Sequence, residues 1–232
     1  MKLIIATPFY NSQGWSAYIS SLVKTVMLLA KIPELELDFW NLSGDAYVWR
    51  ARNSIANRLL EQEPEDAQLF FIDSDEGWNL EGFVNVLKRD VDVVGAGYPC
   101  KNQWGFFGCI LNCDADGVPI TREDGLISAW GVPTGFMKIK RSTFVKLKES
   151  VSYYYAVDDG EKHKVYDFFS HLITEKGMLG EDISFCRRCA DAGIDLWVEP
   201  NVTIEHWGVK GWSGNYDEYL RSLPKPQRKE VA

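Results

Sequence analysis

The chain has 232 residues, 46% hydrophobic and 13% aromatic, which is enough apolar material for one substantial core and fits one domain. Its formal net charge of -8 excludes a general attraction to nucleic acid or anionic membrane, because such partners usually require a basic face. No stretch approaches the roughly 18 apolar residues that cross a bilayer, so we expect a cytoplasmic protein, in host cytoplasm if the chain is viral.

The first hundred residues alternate apolar strands with amphipathic helices. Strands are predicted at 3–6, 35–39, 69–72 and 91–96, and helices at 12–29, 52–60 and 80–87, with Ser12 as the cap of the first helix. The uninterrupted apolar runs are typical of strands that are buried on both faces of a sheet. The alternation predicts an α/β fold with a parallel, doubly wound sheet.

After Pro99 the pattern changes to glycines, aromatics and turn signals such as Asp116-Gly117, which indicate hairpins and loops around a mixed sheet. We expect one domain over 1–222, with a ligand-binding half at 1–100 and a second half at 101–222. We expect a mobile tail at 223–232. Gly180 precedes a further helix, and 196–198 and 202–206 read as extended segments.

The five cysteines are odd in number and do not repeat like a disulfide scaffold, so reduced thiols are expected. A zinc site that joins Cys186 and Cys189 to Cys109 and Cys113 is the weaker alternative. A C-x-x-C pair within a helical pattern usually packs along one helix face.

Asp73-Ser74-Asp75 directly follows the strand at 69–72, at the edge where open α/β sheets bind ligands. In extended backbone residues two apart point the same way, so Asp73 and Asp75 can converge on one cation. The alternative to a cation site is that both aspartates are solvated residues of a loop and bind no ligand. A haloacid-dehalogenase-type phosphatase also carries D-x-D after a strand, but uses its first strand and has Thr or Val where Gly77 stands here.

Several segments in order along the chain resemble the GT-A glycosyltransferases, in particular short bacterial and phage-type enzymes related to the large inverting family. The matching segments are 6–10 (ATPFY), 50–53 (RARN), 70–75 (FFIDSD), 97–101 (GYPCK), 134–137 (TGFM), 180–188 (GEDISFCRR) and 205–208 (EHWG). The resemblance implies a GT-A, Rossmann-like fold with a mixed, mainly parallel sheet flanked by helices. It also implies a hexosyltransferase-like activity on a nucleotide-diphosphate sugar, by family analogy a UDP-sugar.

The resemblance places the nucleotide base near Thr7, Pro8 and Tyr10, and the diphosphate on Mn²⁺ or Mg²⁺ held by the segment Asp73-Ser74-Asp75. Oxygen ligands suit such a cation, which stabilises the departing nucleoside diphosphate. The resemblance gives His206 as the third metal ligand. A neutral imidazole can complete a site that two carboxylates begin.

Arg50, Arg52 and Asn53 lie at the start of a helix that faces the same sheet edge, so one arginine can reach the diphosphate while Asn53 contacts the nucleotide. An ordinary arginine paired with a surface carboxylate is an equal alternative for either arginine. Tyr98 and Lys101 are assigned base stacking and phosphate contact on one interpretation, and a turn aromatic and a solvated lysine on the other.

The resemblance assigns the general base to Asp182, which would accept the proton of the acceptor hydroxyl as it attacks the anomeric carbon with inversion, with Glu181 assisting orientation. The alternative is that both acids simply stabilise a helix N-terminus.

Five aromatic side chains could either stack on sugar rings or belong to the core: Trp104, Phe106, Trp130, Trp207 and Trp212. The stretch 153–177 is a candidate acceptor loop or donor lid.

The sequence leaves the acceptor open between a glycan, a lipid-linked sugar, a protein and a modified base in viral DNA. The alternative class of protein is a nucleotide-sugar or carbohydrate-binding module that has the GT-A fold but no catalytic activity. Because Asp73, Asp75, Asp182 and His206 occur together, an active enzyme is favoured.

Overall fold

The computed structural model describes residues 1–101, 107–158, 160–208 and 211–223. The helices are α1 (Ser16–Leu29), α2 (Val48–Gln62), α3 (Leu80–Lys88), α4 (Arg141–Leu147), α5 (Glu181–Asp191) and α6 (Tyr216–Ser222). The strands are β1 (Lys2–Phe9), β2 (Glu36–Ser43), β3 (Gln68–Ile72), β4 (Glu76–Trp78), β5 (Val93–Gly95), β6 (Ile110–Leu111), β7 (Ile127–Gly131), β8 (Phe136–Lys140), β9 (Tyr153–Asp158), β10 (Glu161–Tyr166), β11 (Ile173–Thr174), β12 (Gly177–Met178), β13 (Leu196–Val198), β14 (Thr203–Trp207) and β15 (Gly211–Asn215).

An eight-stranded sheet forms the centre of the molecule, in the order β2-β1-β3-β8-β5-β13-β7-β6. β1 runs parallel to β2 and β3, and β13 runs parallel to β5, whereas β8 and β7 are antiparallel to both of their neighbours. Six of the eight strands therefore point the same way. The expected α/β class, a mixed and mainly parallel sheet flanked by helices, is confirmed.

Both faces of the sheet are covered, as the apolar runs predict. Leu3 and Ile5 of β1 pack with α1 and α3 in one apolar cluster, while Ile4 and Ala6 pack with α2, α4 and α5 in the other. Alternate residues of a strand face opposite sides of a sheet, so one continuous apolar run contributes to two cores. The carboxyl ends of β1 and β3 are thereby fixed at one edge.

The N-terminus of α1 differs from the prediction. The helix begins at Ser16 after Trp15, and no side chain caps it, whereas Ser12 lies outside the helix with a φ of 54°. The backbone N–H of Trp15 instead donates to the carbonyl of Ser74 at 2.9 Å. The expected Ser12 cap is therefore wrong, because a tertiary contact positions this helix end.

The halves at 1–100 and 101–222 share the main sheet, since β8 of the second half lies between β3 and β5 of the first.

The predicted turn at Asp116-Gly117 is present: Gly117 has a φ of 77° and its N–H donates to the carbonyl of Asp114. The stretch 153–177 contains the β9–β10 hairpin and leads into the β11–β12 pair.

All five cysteines are free thiols, and Cys186 and Cys189 are buried in the core on α5, as helix-face packing predicts.

Of the predicted tail only Leu223 lies within the described residues, and Trp104 and Phe106 lie outside them. Within the described ranges, no helix combines the length and apolarity that a membrane crossing needs.

Candidate active site

The acidic segment after β3 is a turn. The N–H of Glu76 donates to the carbonyl of Asp73 at 3.2 Å, and the N–H of Asp73 donates to the carbonyl of Gly135 at 2.9 Å. The expectation of extended backbone here is wrong, because the chain turns between β3 and β4. Asp73 and Asp75 consequently meet different partners, although they lie in one acidic site.

Arg52, Asp73 and Glu181 form what we call the Arg52 cluster. Arg52 projects from α2, is 2% exposed, and donates from Nη2 to Asp73 at 2.7 Å and from Nη1 to Glu181 at 2.6 Å. Burial lowers the pKa of Arg52, but the carboxylates of Asp73 and Glu181 outweigh burial and leave that pKa raised. One guanidinium thus joins the acidic turn to the start of α5.

Asp75, Lys101 and His206 form the Lys101 cluster on the other side of the turn. The Lys101 ammonium bonds to Asp75 Oδ2, and His206 Nε2 lies 3.9 Å from Asp75 Oδ1. The Lys101 side chain is 37% exposed, against 2% for Arg52, so this pair is far closer to solvent. The two aspartates therefore belong to environments of different polarity.

His206 is held by strand pairing. β14 pairs antiparallel with β4, His206 stands opposite Glu76, and the N–H of Trp207 donates to the carbonyl of Asp75. His206 Nδ1 lies 2.8 Å from the carbonyl oxygen of Pro99, which only accepts, so Nδ1 carries the proton and Nε2 keeps its lone pair toward Asp75. Burial lowers the pKa of His206, which favours this neutral form.

Glu76 is the site residue that sequence analysis missed. It is fully buried at the start of β4, and neither carboxylate oxygen has a hydrogen-bond partner among the described residues. Burial, followed by the charges of Asp73 and Asp75, raises its pKa well above the ordinary value for glutamate. The only signal in the sequence is an acid immediately after D-S-D.

Asp182 and Glu181 begin α5, as predicted. Asp182 Oδ1 accepts from the N–H of Ile183 at 2.7 Å. Burial, and next the charge of Glu181, raises the pKa of Asp182. Glu181 accepts from Arg52 and is held in one orientation, while Asp182 bonds no cationic side chain among the described residues.

Tyr98 lies between the acidic turn and α5. Its hydroxyl lies with Glu76 Oε1 and Asp73 Oδ2 around Gly135, and burial, followed by the charges of Glu76, Asp73 and Asp182, raises its pKa. Its ring contacts that of His206 with centroids 4.8 Å apart. Tyr98 therefore lies beside groups from the acidic turn and from β14.

The residues predicted to contact the base are spread along the end of β1. Thr7 is buried and its hydroxyl bonds to that of Tyr18 at 2.7 Å, Pro8 is half-buried, and Tyr10 is 68% exposed. Ser74 lies in the turn and its carbonyl accepts from Trp15. The Thr7 side chain is therefore part of the buried interior, whereas the Tyr10 side chain is exposed to solvent at the end of β1.

Arg50 and Asn53 do not join the acidic groups. Arg50 donates to Asp45 at 2.8 Å and borders a separate cavity of about 590 Å³. Asn53 donates to Asp167 at 2.8 Å and accepts from the N–H groups of Phe168 and Phe169. Asn53 thus fastens α2 to 167–169, and of the two arginines only Arg52 reaches the acidic site.

Aromatic side chains border the turn. Trp207 stacks on Trp15 with centroids 6.0 Å apart and 25° between the rings, next to Asp75. Trp212 is buried at 7% exposure, and Trp130 is half-buried on β7. Trp15, which the sequence analysis placed only on a helix, joins Trp207 as a flat surface beside the acids.

The donor set partly fits a divalent cation. No group of three or more His, Cys, Asp or Glu side chains within the described ranges is arranged to hold a metal ion. Asp75 Oδ1 nevertheless lies 3.9 Å from His206 Nε2, the ring nitrogen that carries a lone pair in the neutral form with Nδ1 bonded to Pro99. Glu76 adds two buried oxygens without partners, which is chemistry that a hard cation satisfies.

No protein-family model matches the chain, and no curated protein matches it. Among solved structures, it is similar to the catalytic domain of Drosophila beta1,4-galactosyltransferase 7 in complex with xylobiose, with 13% identity and a TM-score of 0.45. The alignment covers 99% of this chain and 76% of that one. A similarity at this TM-score assigns no function to the chain.

Proposed function

We propose that the protein is a metal-dependent glycosyltransferase that moves a sugar from a nucleotide diphosphate donor, a UDP-sugar by preference, to an acceptor hydroxyl. The observation that carries this proposal is the bridge from Arg52 to both Asp73 and Glu181. It holds the acidic turn and the candidate base segment together at the carboxyl edge of β3, where ligands of α/β sheets bind.

Asp73, Asp75 and His206 are the residues that would hold Mn²⁺ or Mg²⁺ and, through it, the diphosphate. When bound, the cation offsets the negative charge that develops on the leaving diphosphate. The lone pair of His206 is aimed at Asp75 by the bond from Nδ1 to Pro99, so the imidazole is oriented before any ion arrives.

Asp182 is the proposed general base. Its carboxylate accepts the proton of the acceptor hydroxyl while the oxygen bonds to the anomeric carbon and the bond from that carbon to the donor phosphate breaks. Attack from the face opposite the phosphate inverts the anomeric centre. The raised pKa of Asp182 makes it a stronger base than an exposed aspartate, and Glu181, fixed by Arg52, positions the start of α5.

The direct test is a thermal-shift panel of UDP-, GDP-, CDP- and dTDP-sugars with and without MnCl₂. A ligand that binds only the folded chain raises Tm as its concentration exceeds Kd, so one donor should stabilise the protein, and only with the cation. Asp75→Asn is the matched variant and should lose the cation-dependent part. If no nucleotide sugar changes Tm with Mn²⁺ present, the proposal is overturned.

Turnover separates an enzyme from an inactive binding module. The donor that gives the largest shift should be hydrolysed slowly in the absence of acceptor, with release of nucleoside diphosphate. An inactive binding module would show the increase in Tm but would release no nucleoside diphosphate. A phosphatase would instead release inorganic phosphate from simple phosphomonoesters.

A further inference from the structure

Glu76 sits in the acidic site with no group assigned to it. It is fully buried, and both carboxylate oxygens lack partners among the described residues. Its charged neighbours are Asp73, Asp75, Arg52 and Lys101. Leaving a buried polar group unsatisfied is costly, so a fold that keeps one here calls for a ligand at this point.

Unsatisfied polar atoms concentrate in this region. Six buried side-chain nitrogen or oxygen atoms lack a partner among the described residues, and four of them belong to Glu76, Arg52 and Thr134. Arg52 bonds Asp73, and Thr134 precedes Gly135, whose carbonyl accepts from Asp73. Four of the six orphaned atoms thus belong to residues at or next to the acidic turn, while Gln68 and Tyr154 hold the other two.

Oxygen atoms converge beside Gly135. A Cβ at this residue would lie 2.7 Å from the Tyr98 hydroxyl and 2.9 Å from Asp73 Oδ2, and closest of all to Glu76 Oε1. Only glycine leaves room for three oxygens to approach the backbone so closely. Two carboxylates and a phenol thus face a common space, where the two carboxylates repel each other unless one is protonated or a cation lies close to both, and a bound divalent cation would relieve this repulsion and give the Glu76 oxygens a partner.

Strand pairing directs Glu76 toward the other candidate ligand. Glu76 and His206 are opposite each other in the β4–β14 pair. Directly opposed residues in an antiparallel pair project from the same face, with Cβ atoms about 4.5–5.5 Å apart. The ladder that positions His206 therefore positions Glu76 as well.

We propose that Glu76 is a further ligand of the divalent cation and completes, with Asp73, the oxygen side of its site. This inference rests on the proposed function, since it concerns the same cation. The carboxylate is kept buried and unpaired in the protein because the cation, rather than a protein donor, is its partner.

The experiment is a titration of the purified full chain with MnCl₂, with and without UDP, followed by the electron paramagnetic resonance of free Mn²⁺. The wild type should bind Mn²⁺, and Glu76→Gln should bind it at least about tenfold more weakly, since the loss of even an outer-shell partner costs about tenfold to a hundredfold in affinity. Glu76→Gln should have an apo Tm no lower than that of the wild type, because a neutral amide replaces a carboxylate that has no partner. Glu76→Asp, which keeps the charge on a shorter arm, should bind between the two.

Glu199→Gln is the matched control. Glu199 is also a buried glutamate, at 1% exposure, but it accepts from Arg89 Nε at 2.8 Å and from Nη2 at 2.5 Å. Its variant should lower Tm and leave the affinity for Mn²⁺ unchanged. The two glutamates then show opposite behaviour, which a purely structural role for Glu76 would not produce.

Equal affinity for Mn²⁺ in the wild type and Glu76→Gln overturns the inference and leaves the proposed function standing. Absence of Mn²⁺ binding by the wild type, with and without UDP, overturns both. Should Glu76→Gln fail to fold, Glu76→Asp decides, because wild-type affinity in that variant contradicts a direct ligand.

Discussion

Asp73 and Asp75 lie in the same turn, but their side chains have different partners and different exposure to solvent. In the Arg52 cluster a guanidinium at 2% exposure joins Asp73 to Glu181 through two bonds, whereas in the Lys101 cluster an ammonium at 37% exposure pairs with Asp75. Buried charges depend strongly on their partners, while exposed pairs contribute little to stability. The comparison indicates that the Arg52 cluster fixes the architecture of the site and that the Lys101 cluster can exchange its partner for a ligand.

Arg52→Met should have the largest effect. It leaves Asp73 and Glu181 without their cation, so the free energy of unfolding should fall by ~3–5 kcal/mol and donor hydrolysis should be lost. Urea denaturation measures the first and nucleotide release the second. Arg50→Met is the control two residues away: Arg50 forms an exposed pair with Asp45, so its removal should cost about 0.2–1 kcal/mol. Equal losses for the two variants would contradict the comparison.

Asp182→Asn should lower the rate constant for donor turnover by about 10²–10⁴-fold and leave Tm close to wild type. The reason is that, among the residues that the structure describes, Asp182 bonds only a backbone N–H of its own helix, so its charge matters for proton transfer more than for the fold. Steady-state kinetics and a melting curve on the same preparation are the measurements. A near-wild-type rate would remove Asp182 from the role of base.

Lys101→Met should change the free energy of unfolding by less than about 1 kcal/mol, because the pair with Asp75 is partly exposed. It should also raise the affinity for Mn²⁺ by roughly threefold to tenfold, since a positive charge next to Asp75 is removed. Calorimetric titration with MnCl₂ measures this. A large loss of stability would show that the two clusters are equivalent in the fold.

His206→Asn tests the smallest effect, a pH dependence. The pKa of His206 is lowered in the folded chain, so the unfolded chain binds a proton more readily than the folded one as pH falls below about 6.5. Without metal, the wild type should therefore lose stability between pH 6.5 and its lower folded pKa. The variant should lose less in that window, and the two curves should run parallel above pH 7. Denaturation at a series of pH values checks this, and parallel curves below pH 6.5 would refute it.

Much of the fold follows from local pattern. The apolar runs of β1 and β3 predict strands buried on both faces, and Gly180 before the acidic pair predicts the start of α5. The position of β8 in the centre of the sheet did not follow from the sequence, because a short strand such as Phe136–Lys140 has no local feature that specifies its neighbours. Pairing with β3 and β5 depends on contacts between residues far apart in the chain.

By itself, the sequence determined the alternation of strands and helices in the first hundred residues apart from β4, the start of α5 and the presence of acids after β3, since these depend on residues within a few positions of one another. Tertiary structure alone decided that Arg52 rather than Arg50 reaches the acids, that Asn53 fastens α2 to 167–169, and that Glu76 is buried without a partner. Arg52 and Glu181 are 129 residues apart. Whether two such side chains meet depends on how whole elements pack, and no periodicity within either segment records it.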